Sequence, residues 1–168
     1  MKKITSSVSV MIVVATLSAC NSAPKVDDAT LTGKNVAPVS AVAQVVVPAH
    51  LDPNSALSRN RSVYFDFDDF TVKKEYASVV ENHGKYTATN SKLSVRVEGN
   101  ADERGGREYN LALGQKRAEA VVRAMKVYGA KDAQLEPVSY GSEKPKAQGH
   151  DETAWALNRR ADVVYMTK

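Results

Sequence analysis

Residues 92–128 decide the fold of this 168-residue chain, and they read KLSVRVEGNADERGGREYNLALGQKRAEAVVRAMKVY. Apolar and polar residues alternate over 92–98, which predicts a half-buried strand. Over 109–128 the apolar residues recur at helical steps with Arg and Lys between them, and Gly129 marks the expected helix end. A strand joined to a long amphipathic helix by a glycine-containing loop indicates a domain in which helices pack on a sheet.

The same patterns predict elements on both sides of this stretch. Strands are expected at 63–68, 138–140 and 161–166, and helices at 71–83 and 153–158, with Gly84 weakening the helix beyond that point. The order is therefore strand, helix, strand, helix, strand, helix, strand. It predicts an α+β domain, an α/β sandwich whose helices cover one side of a mixed four-stranded sheet. Periodicity does not give the order of the strands.

The first 19 residues have the three parts of a secretory signal peptide: a basic start, an apolar run over 8–17, and small residues before Cys20. The apolar run is about half of the roughly 20 residues that a spanning helix needs, so a retained anchor helix is disfavoured. The stretch 17–20 resembles the bacterial lipobox. That resemblance implies that Cys20 is acylated and becomes the mature N-terminus, and Asn21 after it implies sorting to the outer membrane.

Residues 20–60 are expected to form a flexible linker before a domain over 61–168. The stretch carries Pro24, Pro38, Pro48 and Pro53 and lacks helical spacing. The apolar run at 42–47 is either extended coil or a short strand that binds a partner, and its flanking prolines favour coil.

Charge and composition exclude several functions. The formal charge is +4, and without Lys2 and Lys3 of the signal peptide 21 basic side chains face 19 acidic ones. No basic cluster is interleaved with aromatic residues, so no nucleic acid partner is expected. The single cysteine allows no intrachain disulfide, and the three histidines lack the spacing of metal ligands, so neither a metal nor another cofactor is expected.

Four separated stretches resemble the OmpA-like peptidoglycan-binding domain family. They are VYFDFD at 63–68, VEGNADERG at 97–105, YNLALGQKRA at 109–118 and NRRA at 158–161. Two more stretches, 139–145 and 149–152, resemble the peptidoglycan-associated lipoproteins within that family. The resemblance covers about residues 62–166, with two departures: Asn100 stands where relatives usually have His, and Gly106-Arg107 replaces the more usual Thr-Pro.

The resemblance implies a pocket for meso-diaminopimelate of the peptidoglycan stem peptide. By the family motif, Asp102 takes the ligand ammonium and Arg117 the ligand carboxylate, a role that the planar guanidinium fits better than a lysine does. The family further implies that four residues form the wall and edge of the pocket: Phe67, Asp68, Arg104 and Leu113.

Without the family resemblance, both charged pocket residues and the Arg159-Arg160 pair have a structural interpretation. Asp102 is then a loop cap, Arg117 lies on a solvated helix face, and Arg159 and Arg160 form salt bridges at the start of a strand. Four motifs in the right order favour binding roles for Asp102 and Arg117. For Arg159 and Arg160 the structural interpretation is retained.

The expected function is binding rather than catalysis: a lipoprotein on the periplasmic face of the outer membrane that grips the cell wall. The resemblance also implies a protein partner, the periplasmic β-propeller protein of the Tol system, and a role in envelope constriction at division. A hydrolase with paired carboxylates among Asp66, Asp68, Asp102 and Glu103 is the strongest enzymatic alternative. A flagellar stator protein is disfavoured, because it needs a transmembrane helix with a functional carboxylate and the sequence shows none. A structural lipoprotein that does not bind the wall is the remaining alternative.

Overall fold

The computed structural model describes residues 47–166 of the chain. The predicted signal peptide, Cys20 and the part of the predicted linker before residue 47 lie outside the described residues. The strands are β1 (Ser62–Tyr64), β2 (Ser94–Asn100), β3 (Leu135–Gly141) and β4 (Arg160–Met166). The helices are α1 (Ala56–Arg59), α2 (Ala77–Thr89), α3 (Arg107–Val127) and α4 (Glu152–Asn158), with short 3-10 turns at Lys74–Tyr76 and Asp132–Gln134.

The strands form one mixed four-stranded sheet in the order β1-β4-β2-β3. The last strand, β4, pairs antiparallel with both β1 and β2, while β2 pairs parallel with β3. The predicted sheet is confirmed, although β3 begins three residues before the expected position. Pro137 lies within β3 and cannot donate a backbone hydrogen bond, which the position of β3 at the sheet edge allows.

The hydrophobic core lies between the sheet and the helices α2 and α3. The alternating residues of β2 and β4 face it, with Val95, Val97 and Val163 almost fully buried. From the helices, Val80, Ala118, Val121 and Met125 pack against them. On β2 the intervening residue Arg96 is partly exposed and forms a salt bridge to Glu136 of β3 at 3.0 Å. This one-sided burial explains why the strand pattern alternates.

Helix α2 lies later in the chain than the apolar spacing predicts, since it ends at Thr89 rather than near residue 83. Gly84 does not weaken the helix beyond it. A Cβ on Gly84 would come within 2.8 Å of the Met125 carbonyl oxygen and of the Tyr128 Cβ. The glycine therefore allows α2 to approach α3 closely, and the packing of the two helices outweighs its low helix propensity.

Residues 47–60, expected to belong to the linker, fold onto the domain. Leu57 is buried, and Ser55 caps α1 by accepting a hydrogen bond from the Ser58 amide at 3.0 Å. The side chain of His50 is 9% exposed and lies 2.8 Å from the Tyr86 hydroxyl. These contacts depend on single side chains without a repeating pattern, so periodicity does not reveal them. No helix within residues 47–166 combines the length and the apolar character needed to cross a bilayer.

Two glycines set the position of α3 over β2. A Cβ on Gly99 would overlap the carbonyl oxygen of Gly114, and one on Gly114 would come within 2.9 Å of the Gly99 carbonyl oxygen. The helix and strand backbones therefore touch where β2 ends. This contact places the first half of α3 beside the loop that starts at Ala101.

We predict that Gly99→Ala destabilises the domain by about 3 kcal/mol, because backbone atoms cannot move away as a flexible side chain can. The matched control is Gly106→Ala: Gly106 has φ −74° and open space around its Cβ position, so this change should leave stability nearly unchanged. Urea unfolding measures both. Equal stability of the two variants would show that α3 and β2 do not touch as described.

A buried histidine connects α2 to the sheet. His83 is 1% exposed; its Nε2 lies 2.8 Å from the Asn60 carbonyl and its Nδ1 lies 2.7 Å from the Tyr165 hydroxyl. Because a carbonyl only accepts, Nε2 carries the proton and donates, and Nδ1 accepts from the hydroxyl. Burial lowers the pKa of His83 below its ordinary value of 6.5, against the opposite effect of the Asn60 carbonyl. The folded protein therefore holds His83 neutral.

The free energy of unfolding should consequently fall as the pH drops below 6.5, because the unfolded chain then takes up the proton more readily than the folded one. We predict that His83→Gln flattens this dependence, measured by urea unfolding between about pH 8 and about pH 5, where histidines titrate. His150→Gln is the control. Glu103 raises the pKa of the exposed His150, so that group acts in the opposite direction. An unchanged slope in His83→Gln would contradict a neutral His83.

Candidate binding cleft

A cleft of about 240 Å³ opens where the segments after β1 and β2 meet the first half of α3. All six side chains predicted for the binding site lie in its lining. The lining consists of Phe67, Asp68, Asp102, Arg104, Gly105, Tyr109, Asn110, Leu113 and Arg117. The tertiary structure thus brings together residues up to 50 positions apart in the chain.

Arg117 forms the floor of the cleft and is fully buried. Its guanidinium donates to three backbone carbonyls: Nε to Asp69 at 2.8 Å, Nη1 to Asn100 at 2.9 Å, and Nη2 to Asp66 at 3.0 Å. Without the family resemblance, this arginine was expected on a solvated helix face. The structure instead places its charge at the junction of the loop after β1 and the end of β2.

The buried guanidinium of Arg117 forms no salt bridge with any carboxylate in the described part of the chain. Burial lowers the pKa of Arg117 to about 10, and Asp102 acts against that shift from nearby. The group therefore remains charged at neutral pH. A guanidinium has five N–H donors and three are used here, which leaves one on each terminal nitrogen. Two free donors on a buried cation suit a ligand carboxylate.

Asp102 provides the opposite charge, with only 4% of its surface exposed. Its Oδ1 accepts from the backbone amide of Arg104 at 3.1 Å, and its Oδ2 accepts from Arg104 Nη2 at 2.6 Å and Arg159 Nη1 at 3.4 Å. Burial acts to raise the pKa of Asp102, but the hydrogen bonds from Arg104 outweigh it and hold the pKa below its ordinary value. The carboxylate is therefore ionised.

The segment after β1 leaves the sheet instead of continuing as the predicted strand to residue 68. Asp68 has φ 53°, in the left-handed region that side chains rarely adopt. The hydroxyl of Tyr109 donates to the Asp68 carboxylate across the mouth of the cleft. The bend turns Phe67 outward, where it is 61% exposed at the rim.

Arg104 closes the other side of the cleft between two aromatic rings. Its guanidinium carbon lies 4.2 Å from the ring centroid of Phe67 and 4.1 Å from that of Trp155. The indole nitrogen of Trp155 donates to Glu103 at 2.8 Å, and His150 contacts the same carboxylate. Helix α4 therefore contributes to the site although the sequence did not indicate it.

Tyr109, Asn110 and Trp155 are the site residues that the sequence did not predict. Tyr109 could have been found, because Tyr109, Leu113 and Arg117 are spaced by four and share one face of α3. Asn110 is 2% exposed, and its amide nitrogen has no hydrogen-bond partner among the described residues. Trp155 had no such signal, because α4 reaches the cleft only through the fold.

Arg159 and Arg160 form salt bridges where α4 passes into β4, in agreement with their structural interpretation. Arg160 pairs with Asp162 at 2.8 Å. Arg159 donates to Glu152 at 2.6 Å and to the Phe65 carbonyl at 3.1 Å, and it also contacts Asp102. Arg159 therefore supports the acidic side of the cleft from behind.

The two departures from the family pattern leave the cleft intact. Asn100 is buried, and its backbone carbonyl, which any residue type supplies, binds Arg117. Gly106 precedes α3 without a side-chain cap. Within residues 47–166 no group of three or more His, Cys, Asp or Glu side chains is arranged to hold a metal ion.

Comparison with known proteins agrees with this fold. A model of the OmpA family matches residues 64–159, which is more than half of the chain. The crystal structure of the peptidoglycan-associated lipoprotein from Burkholderia pseudomallei is 53% identical, with a TM-score of 0.68, and the match covers 70% of this chain and 99% of that one.

Two further matches define the extent of the likeness. The peptidoglycan-associated lipoprotein of Pasteurella multocida is 45% identical over 107 residues, covering 64% of this chain and 71% of the relative. The C-terminal domain of Helicobacter pylori MotB is 21% identical with a TM-score of 0.58, covering 64% and 84%, and shares the fold. The expectation that the protein binds rather than catalyses agrees with the Pasteurella multocida relative, whose name states association with peptidoglycan and no catalytic activity. The chain belongs to the OmpA family and, within it, to the peptidoglycan-associated lipoproteins.

Proposed function

We propose that this chain binds the peptidoglycan stem peptide non-covalently through meso-diaminopimelate in the cleft. The buried, unpaired guanidinium of Arg117 carries the proposal, because a buried cation bound only by neutral carbonyls attracts an anion strongly. In this arrangement Arg117 receives the ligand carboxylate and Asp102 the ligand ammonium. Phe67, Asp68, Arg104 and Leu113 form the wall and edge around them.

The carboxylates of Asp102 and Glu103 are unsuited to the proton donation that hydrolysis needs. A glycosidase needs one carboxyl group whose pKa is raised so that it can donate a proton. Asp102 has a lowered pKa, and hydrogen bonds from Trp155 and His150 lower the pKa of Glu103. Both remain ionised, which favours binding of a cation over proton donation.

We further propose that the chain ties the outer membrane to the cell wall. In this proposal residues 1–19 are removed as a signal peptide, Cys20 carries lipid in the outer membrane, and the following stretch connects it to the domain on the periplasmic side. The lipobox-like stretch 17–20 supports the anchor. Several acyl chains, each contributing about 0.8 kcal/mol per buried CH₂, hold a protein on a membrane stably.

We predict that the soluble chain 21–168 co-sediments saturably with purified sacculi and that Asp102→Ala and Arg117→Ala each abolish this binding. Arg117→Lys should fail as well, because a lysine keeps the charge but cannot bind three carbonyls and a carboxylate together. Arg123→Ala is the control, since Arg123 is exposed and its one ion pair within residues 47–166 is with Glu119 on the same helix. Binding that survives the cleft variants would refute the site, and soluble wall fragments would indicate a hydrolase.

The Tol-system β-propeller protein is the proposed protein partner, linking the tether to envelope integrity and constriction at division. We propose that it covers the cleft, because the rim exposes Phe67 and Tyr109, which are 61% and 52% exposed. Exposed aromatic residues beside a cleft are typical of protein interfaces.

We predict that Phe67→Ala and Tyr109→Ala weaken binding of the β-propeller protein at least about tenfold, as the loss of central aromatic contacts does in other interfaces. Surface plasmon resonance with the immobilised soluble chain measures this. Exposed Val127, on the far end of α3, provides the control Val127→Ala. If both rim variants bound the partner at full strength, the two sites would not overlap.

A further inference from the structure

The carboxylate of Asp102 already has a full set of hydrogen bonds before any ligand arrives. Arg104 reaches it through its backbone amide, Nε and Nη2, at 3.1, 3.3 and 2.6 Å, and Arg159 adds a fourth contact at 3.4 Å. With 4% of its surface exposed, Asp102 has little room for another donor. An incoming ammonium must therefore displace one of the two guanidinium groups.

Arg159 is held too firmly to be the group that leaves. Its side chain is 6% exposed and is bound at its other nitrogens by the Phe65 carbonyl at 3.1 Å and by Glu152 at 2.6 Å. The side chain of Arg104 is 31% exposed, and its hydrogen bonds to the described part of the chain all run to Asp102. Arg104 is therefore the displaceable cation.

A second position for the Arg104 guanidinium exists beside the first. Its Nη2 lies 3.8 Å from Glu152 Oε2, so a small shift converts this contact into a hydrogen-bonded ion pair. The rings of Phe67 and Trp155 lie on the guanidinium at 4.2 and 4.1 Å, and stacking of this kind tolerates sliding in the plane. Displacement therefore leaves Arg104 with both aromatic contacts and a new carboxylate partner.

We infer that Arg104 is an internal competitor for the ligand ammonium and thereby sets the affinity and selectivity of the cleft. In the empty domain it neutralises Asp102, and in the complex it moves to Glu152. A ligand without the cation leaves Arg104 on Asp102 and pays no displacement cost. Arg104 consequently reduces the preference of the cleft for ligands that carry an ammonium. The inference rests on the proposed function and assigns Arg104 a positioning role in place of direct ligand contact.

Calorimetric titration of the soluble chain 21–168 tests this with two probes. One is the stem tripeptide ending in meso-diaminopimelate, and the other is the same peptide with the side-chain amine acetylated. Arg104→Met keeps an apolar side chain between the two rings but removes the charge. We expect it to bind the free-amine peptide about tenfold more tightly, which corresponds to about 1.4 kcal/mol. The affinity of the variant for the acetylated peptide should stay within about twofold of the parent chain's affinity, well below the tenfold change.

The control is Arg123→Met, which removes the same charge on the exposed face of α3 and should bind both peptides as the parent chain does. Arg104→Gln repeats the test with a polar side chain, and it decides the outcome if Arg104→Met melts below the titration temperature. Glu152→Gln should weaken binding of the free-amine peptide in the parent chain. The same substitution should have a smaller effect in a chain that already carries Arg104→Met. That difference isolates the Arg104–Glu152 interaction from the Arg159 contact, which both backgrounds share.

The outcomes separate this inference from the proposed function. If the parent chain binds the peptide, Asp102→Ala abolishes binding and the Arg104 variant binds equally or more weakly, then Arg104 does not compete with the ligand, and the inference is wrong while the function stands. If the parent chain does not bind the free-amine peptide, both the proposed function and the inference about Arg104 are wrong. In a crystal of the complex, an Arg104 guanidinium paired with Glu152 supports the inference, and one still paired with Asp102 overturns it.

Discussion

The guanidinium of Arg117 joins three separate stretches of backbone, and the cleft depends on that connection. Its donors fix the carbonyls of Asp66 and Asp69 in the loop after β1, and that of Asn100 at the end of β2. A buried charge is costly unless it is hydrogen-bonded. The loop is therefore held against α3, and two N–H donors of Arg117 remain for the ligand of the proposed function.

The position of Arg117 depends in turn on the close approach of α3 to β2. Gly99 and Gly114 bring the two backbones into contact, so that a side chain three residues further along α3 lies beneath the end of the strand. The core residues of α3, among them Ala118 and Val121, keep the helix in this position from the other side. Packing of small residues thus determines where the Arg117 charge lies.

The acidic side of the cleft is neutralised by ion pairs. Arg104 and Arg159 neutralise Asp102 and Glu152, while Arg117 remains without a carboxylate partner among the described residues. In the proposed complex, a ligand that carries both an ammonium and a carboxylate satisfies Arg117 and rearranges the acidic side without leaving a buried charge alone. The proposed function therefore favours a zwitterionic group over a simple anion.

The amino-acid sequence by itself determined the element types, the mixed sheet with helices on one face, and, through the family motifs, six of the nine residues that line the cleft. Hydrophobic periodicity is a local property, and the motifs are contiguous, so both can be recognised without coordinates. Tertiary structure alone decided that Gly84 tightens a helix contact and that residues 47–60 pack on the domain. It also decided that Trp155 lies against Arg104 and that Asp102 is already paired. Each of these depends on contacts between residues distant in the chain, whose distances arise only when the core packs and the backbones meet.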